Sequence, residues 1–287
     1  MEASATTPLL AMGFEPVGSA EGRGPITRVP TSSTPGHIAW ALNGTPRPTR
    51  DRPAIALYSD RSAPADVRHL EMLRSVAFGS RLAVVAVSAP PLAAGVLASL
   101  LSSLSEHIEA PGVLLAALPM LERELVSLAW VDRVTGLGHL GPGVVQRALS
   151  LVPGTSFGAS LTPEPVVRRL TKQDLSVPVP AIEHPMRGLV AGRSANPSWV
   201  AEFVEPALAG VELEEVESSE WVPGWWGTSK VVEVVAHPTD IAELAARVTR
   251  GLRRSPCRWC AELIAADRCP FCRQRQSRSH RPVGEDR

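Results

Sequence analysis

Ala54-Ile-Ala-Leu-Tyr58 and Leu82-Ala-Val-Val-Ala-Val87 are short apolar runs, and between them Val67, Leu70, Leu73 and Val76 recur at three-residue steps. The second run is rich in valine and apolar on both faces, as a strand covered on both sides must be. Ser59-Asp-Arg-Ser62 supplies a turn, and Pro64 suits the first turn of a helix. Ser88-Ala-Pro-Pro91 breaks the second run, and Leu92 to Leu104 reads as another helix. The order is β-α-β-α, which places the chain in the α/β class. Leu82 to Ser105 carries no charge at all. Pro90-Pro91 divides that stretch, so it reads as buried strand and buried helix and not as a membrane span.

A similar order follows downstream. Gly188-Leu-Val-Ala-Gly192 is a strand candidate, Arg193-Ser-Ala-Asn-Pro197 echoes Arg61-Ser-Ala-Pro64, and Trp199, Val200, Phe203 and Val204 form a helical stripe. Lys230-Val-Val-Glu-Val-Val235 reads as a strand, broken by His237-Pro238 and followed by a helix from Ile241 to Leu252. A third echo is the strand Ser156 to Leu161, Thr162-Pro163, and a helix from Val166 to Leu170. Duplicated β-α-β-α units are one explanation. The other is that proline punctuates helix starts independently. Between the copies, Val113 to Val134 reads as an amphipathic helix kinked at Pro119, with a shorter helix from Val144 to Leu151.

The chain thus divides into a Pro- and Thr-rich irregular arm (residues 1–52), a first α/β half (53–175) and a second half (176–252). A zinc ribbon (253–275) and a basic disordered tail (276–287) complete it. Within the arm, His37 to Leu42 is a candidate for one extra strand.

Hydrophobic residues make up 44% and charged residues 20%, a globular composition. Lysine occurs only at Lys172 and Lys230 while arginine is abundant, a bias that suggests a high-GC bacterial genome. Arginine content is therefore discounted as a nucleic-acid signal. Net charge is zero, but residues 250–287 hold ten arginines against four acids, and residues 202–220 hold seven glutamates and no base. The N-terminus lacks the basic and apolar regions of a signal peptide, and the expected location is the cytoplasm.

All four cysteines lie near the C-terminus, as Cys257-Arg-Trp-Cys260 and Cys269-Pro-Phe-Cys272. Four thiolates in two close pairs suit a structural Zn²⁺. Residues 257–272 resemble the short zinc ribbons at the ends of many bacterial proteins, including the proline after the third cysteine. The resemblance implies a structural metal and no particular activity. Ala261 and Arg273 stand where such ribbons commonly carry glycine. The ribbon is expected to fold separately from the α/β body.

Other constellations are weaker. Gly136-Leu-Gly-His-Leu-Gly141 matches G-x-G-x-x-G, but the residues before it read as helix, so a plain helix–helix turn is expected instead of a dinucleotide site. Asp60, His237 and Asp240 each follow a strand, where open α/β sheets place ligands. Trp221, Trp225 and Trp226 crowd one loop among proline and glycine, and exposed indoles of this kind suit a partner surface.

The leading expectation is a non-catalytic, zinc-stabilised binding or assembly module. It would meet a protein partner through Trp221, Trp225 and Trp226. One alternative is a nucleic-acid binder using the ribbon and the arginine-rich tail. Another is a small-molecule or nucleotide enzyme with a pocket near Asp60, His237 and Asp240. No catalytic or cofactor-binding set is assigned.

Overall fold

The computed structural model describes residues 7–17, 26–29, 53–75, 81–141, 152 and 154–276. Two sheets enclose a layer of helices. The first sheet is wholly parallel, in the order β2-β1-β3-β4, from β1 (Leu9–Met12), β2 (Ile26–Val29), β3 (Ala54–Ser59) and β4 (Leu82–Val87). Helix α1 (Pro64–Leu73) links β3 to β4 and covers the outer face through Leu70, against Leu10, Met12, Ala54 and Ala56. The β-α-β-α reading of residues 54–104 is therefore present in the fold. The irregular arm is corrected in part: β1 is a fully buried, interior strand of this sheet. Its signal was the four-residue apolar run Leu9-Leu-Ala-Met12, too short to stand out amid prolines. The candidate strand at 37–42, the helix at 144–151 and the tail beyond Gln276 lie outside the described residues.

The second sheet has the order β7-β6-β5-β10-β8-β9. Its strands are β5 (Val126–Val131), β6 (Ser156–Ser160), β7 (Val166–Leu170), β8 (Met186–Ala191), β9 (Glu212–Val216) and β10 (Val231–Pro238). All neighbours are antiparallel except β8 and β9. The strand-then-helix order recurs, and β8 and β9 pair in parallel across one such unit, but β10 runs antiparallel to both its neighbours, so the second half does not repeat the wholly parallel sheet of the first. The boundary expected at 175 also moves, because β5, β6 and β7 precede it within the second sheet.

Two helices expected from periodicity are corrected. The first ends at Arg123, and Val126-Ser-Leu-Ala-Trp-Val131 is a strand with every residue buried. Leucine spacing carried across the boundary, and sheet pairing on both sides overrode it. Residues 166–170 form a strand whose two arginines point away from the core. Pro119 sits inside an unbroken helix.

Helices α2 (Pro91–Leu104) and α3 (Pro111–Arg123) fill the space between the sheets. Thirteen of the fourteen α2 residues are buried, which explains the uncharged stretch: this helix meets protein on every side. Its small face lets the chain after β1 cross closely, since a Cβ on Gly95 would lie 2.0 Å from Glu15 O. One continuous core joins Ile55 and Leu57 of the first sheet, Leu97 and Leu101 of α2, and Leu189 and Val235 of the second sheet. The far face of the second sheet is covered by one continuous helical run. It comprises α4 (Pro197–Trp199), a π-helical stretch (Val200–Val204) and α5 (Glu205–Ala207), with Trp199 and Val204 fully buried. No helix among the described residues is long and apolar enough to cross a membrane.

Candidate functional site

The carboxyl ends of β1, β3 and β4 share one edge of the parallel sheet. They are followed by Gly13, by Asp60-Arg-Ser-Ala63 and by Ser88-Ala-Pro90. Ligands of open α/β sheets bind outside such edges. The turn after β3 is tied by Ser62 N donating to Ser59 O at 2.8 Å and Asp60 N donating to Val87 O at 3.0 Å. Gly13, at φ 82°, approaches this turn so closely that a Cβ would lie 2.8 Å from Ser62 Oγ.

The tryptophan segment closes over this edge. Val222–Trp226 forms a short helix, α6, and not an open loop. Trp226 is fully buried, Trp225 is 4% exposed and Trp221 is half-buried. The two buried rings pack against Val131, Phe157 and Val231 on the inner face of the second sheet. Gly227 ends the helix with its Cα so near Gly136 that neither position has room for a side chain. The first glycine of the G-x-G-x-x-G stretch, Gly136, thus serves a backbone crossing. A strand, β5, does precede them, but Gly138–Leu140 is a 3₁₀ turn.

Two cavities meet at Trp225. The first, of about 530 Å³, is lined by Gly13, Ser59, Arg61, Ser62, Asp66, Trp221 and Trp225 among others. Ser62 Oγ, Trp221 Nε1 and Trp225 Nε1 are all buried and lack a hydrogen-bond partner among the described residues. Three cavity-lining side chains that each hold an unused donor, together with Arg61, suit a ligand that only accepts. Asp66 lies in the first turn of α1, where the helix dipole favours its charge. His139 packs edge-on against Trp225 with ring centroids 4.6 Å apart. Desolvation pushes its pKa down, Arg61 adds to that, and Asp60 opposes it.

The second cavity, of about 230 Å³, lies between α2 and the second sheet. Its walls include Ala93, Leu97, Leu125, Leu140, Leu161 and Trp225. Two of its polar wall residues bond within the protein: Ser127 N donates to Thr162 Oγ1 at 3.1 Å, and Leu161 N to Ser127 O at 2.9 Å. Glu122 also lines it, and burial raises its pKa toward the neutral acid. The pair of cavities is therefore a donor-rich chamber beside an apolar slot.

The remaining predicted residues fall elsewhere. Asp240 caps helix α7 (Ile241–Thr249), accepting from Glu243 N at 2.8 Å. His237 lies on β10 with Nδ1 3.0 Å from Pro238 O, and Asp60 sits 4.0 Å from Arg61 in an exposed ion pair. Each has a local structural role. Cys257, Cys260, Cys269 and Cys272 do converge, with all four sulfurs within 4.8 Å of one another. The hairpin they close is not a separate unit, because Cys257, Ile264, Cys269 and Phe271 belong to the main core. The sequence pointed to Arg61, beside Asp60 after the first strand, but passed over Ser59, Ser62 and Gly13. The available signal was the small-polar turn after each parallel strand.

No protein-family model matches the chain, and no curated protein does. Solved structures share the fold. A DegV family protein from Corynebacterium glutamicum superposes with a TM-score of 0.56 at 11% identity, over 82% of this chain and 97% of that one. A DegV family protein from Thermus thermophilus, described as fatty-acid binding, gives 0.53 at 16% identity, over 82% and 100%. One from Eubacterium eligens, loaded with heptadecanoic acid, gives 0.51 at 11% identity, over 81% and 100%. This fold, with Trp225 and Trp226 buried, corrects the expectation of a zinc-stabilised protein-docking module. The nucleic-acid reading and the pocket at Asp60, His237 and Asp240 are corrected with it.

Proposed function

We propose that this protein binds a long-chain fatty acid, carboxylate in the larger chamber and acyl chain in the apolar slot past Trp225. The observation that carries the reading is that three side chains lining one cavity beside Arg61, those of Ser62, Trp221 and Trp225, each hold a buried donor without a partner among the described residues. A carboxylate offers acceptors only and matches that wall. The slot supplies what a hydrocarbon chain needs, walls that are mainly apolar, with Ala93, Leu97, Leu125, Leu140 and Leu161 among them. That proteins of the same fold are described with fatty acids bound supports the same reading.

The test is direct. Lipid extracted from the purified protein is analysed by mass spectrometry, and the delipidated protein is titrated with saturated and unsaturated C14–C18 acids while indole fluorescence is followed. Saturable binding of one acid per chain is expected, and absence of binding at every chain length overturns the proposal. Two variants locate the carboxylate. Arg61→Ala removes a charge-assisted partner and should weaken binding roughly ten- to hundredfold, about 1.5–3 kcal/mol. Gly13→Ala brings a methyl against Ser62 Oγ and should weaken it about tenfold or more, with the alkyl-chain preference unchanged.

A further inference from the structure

The C-terminal hairpin contains two turns built alike. In one, Ala261 N donates to Cys257 O at 2.9 Å and Cys257 N donates to Glu262 O at 2.8 Å. In the other, Arg273 N donates to Cys269 O at 2.9 Å and Cys269 N donates to Gln274 O at 3.0 Å. The amides of Trp259 and Cys260 donate to the Cys257 sulfur, and those of Phe271 and Cys272 to the Cys269 sulfur. Backbone donors aimed at sulfur suit a thiolate. Ala261 and Arg273 both have φ 63°, and they are the only non-glycine residues at positive φ among the described residues. A side chain in that conformation costs roughly 1–2 kcal/mol, and such strain persists where the surroundings over-determine it.

The sulfurs are spaced for a metal. Cys257 Sγ lies 3.5 Å from Cys272 Sγ, and Cys260 Sγ lies 3.6 Å from Cys269 Sγ. Four sulfurs around zinc at about 2.3 Å stand about 3.8 Å apart. Both of these pairs join different turns, whereas disulfides within each C-x2-C would join sulfurs of the same turn. An all-sulfur tetrahedral set selects a soft ion.

The hairpin also grips two helices. Arg74, at the end of α1, donates from Nη1 to Phe271 O at 3.1 Å, and that carbonyl lies inside the second turn. Glu71 of α1 pairs with Arg273 and, at 3.0 Å, with Arg74. On the other side, Leu263 O and Ile264 seat on Gly112 of α3, where a Cβ would lie 2.5 Å from that oxygen. The opposite end of α1, Ala63 to Asp66, borders the larger chamber.

We infer that the four cysteines bind one zinc ion as a tetrathiolate, and that the loaded hairpin holds α1 in place beside the chamber. The metal orders both turns, the second turn presents Phe271 O and Arg273 to α1, and α1 keeps its position at the sheet edge. The inference stands without the fatty-acid reading, since no step of its test uses a lipid.

Purified full-length protein, kept reduced, is analysed for metal and then exchanged with cobalt(II). One zinc per chain and the intense visible absorption of a tetrahedral cobalt thiolate site are expected. Iron in the native protein, no metal, or cysteines blocked to alkylation until reduced would overturn the site. Hydrogen exchange is compared with and without a strong chelator. Faster exchange is expected in residues 255–276 and in 64–73 together, and unchanged protection of 64–73 would overturn the brace. Arg273→Ala keeps all four ligands and so serves where cysteine variants fail to fold. It should retain zinc while raising exchange in 64–73. Retained zinc with unaltered exchange there would again overturn the brace.

Discussion

Trp226→Ala is expected to lower the unfolding free energy by about 3–5 kcal/mol, the cost of emptying a fully buried aromatic site. The ring has no exposed surface and packs with Trp225 at a centroid distance of 4.5 Å, over Val131 and Val231. It also donates from Nε1 to Glu233 Oε1 at 3.1 Å, so its loss leaves a buried carboxylic oxygen without its partner. Urea unfolding of the variant measures this. A loss below about 1 kcal/mol, with the fold intact, would mean that the indole is a surface group after all. The same geometry explains why the expected partner loop is part of a core. Gly227, at φ 71°, ends the helix tightly against Gly136.

Glu233 should make stability depend on pH. It is an inward-facing residue of β10, buried between Trp226 and the first turn of α2, where it accepts from the Leu92 amide. Burial raises its pKa from 4.5 to about 7, and the bonds from Trp226 and Leu92 only partly oppose that. Between those values the folded protein keeps a proton that the unfolded chain has released. Its contribution is therefore fully present below about pH 4.5, declines as pH rises, and is gone above about pH 7. The whole change is about 3 kcal/mol. Glu233→Gln has no proton to lose. The unfolding free energy of the variant minus that of the parent should rise by about 3 kcal/mol between pH about 4 and about 8. A difference that stays flat across this range would show that Glu233 is ionised in the fold. Oε2 of Glu233 has no hydrogen-bond partner among the described residues, which fits a site that disfavours the charge.

The sequence by itself determined the elements whose signal is local. Ala54 to Leu104 alternates apolar runs with proline-started helices, and each became a strand or helix within a residue or two of its reading. The four cysteines likewise carry their own geometry, since two C-x2-C turns need only each other to bring sulfurs together. Periodicity misled at 125–134 and 166–170, where leucine or valine spacing fits helix and strand alike and pairing with β10 and β6 decided between them. Only the tertiary structure decided the rest. Whether a tryptophan cluster faces water or a sheet depends on where Gly227 meets Gly136, residues far apart in the chain. The chamber depends on Gly13, Ser62 and Trp225 arriving from three segments, with Arg61 alongside. Its defining property, donors without partners, is an absence of contacts. No local pattern encodes that, because it exists only once everything else has packed.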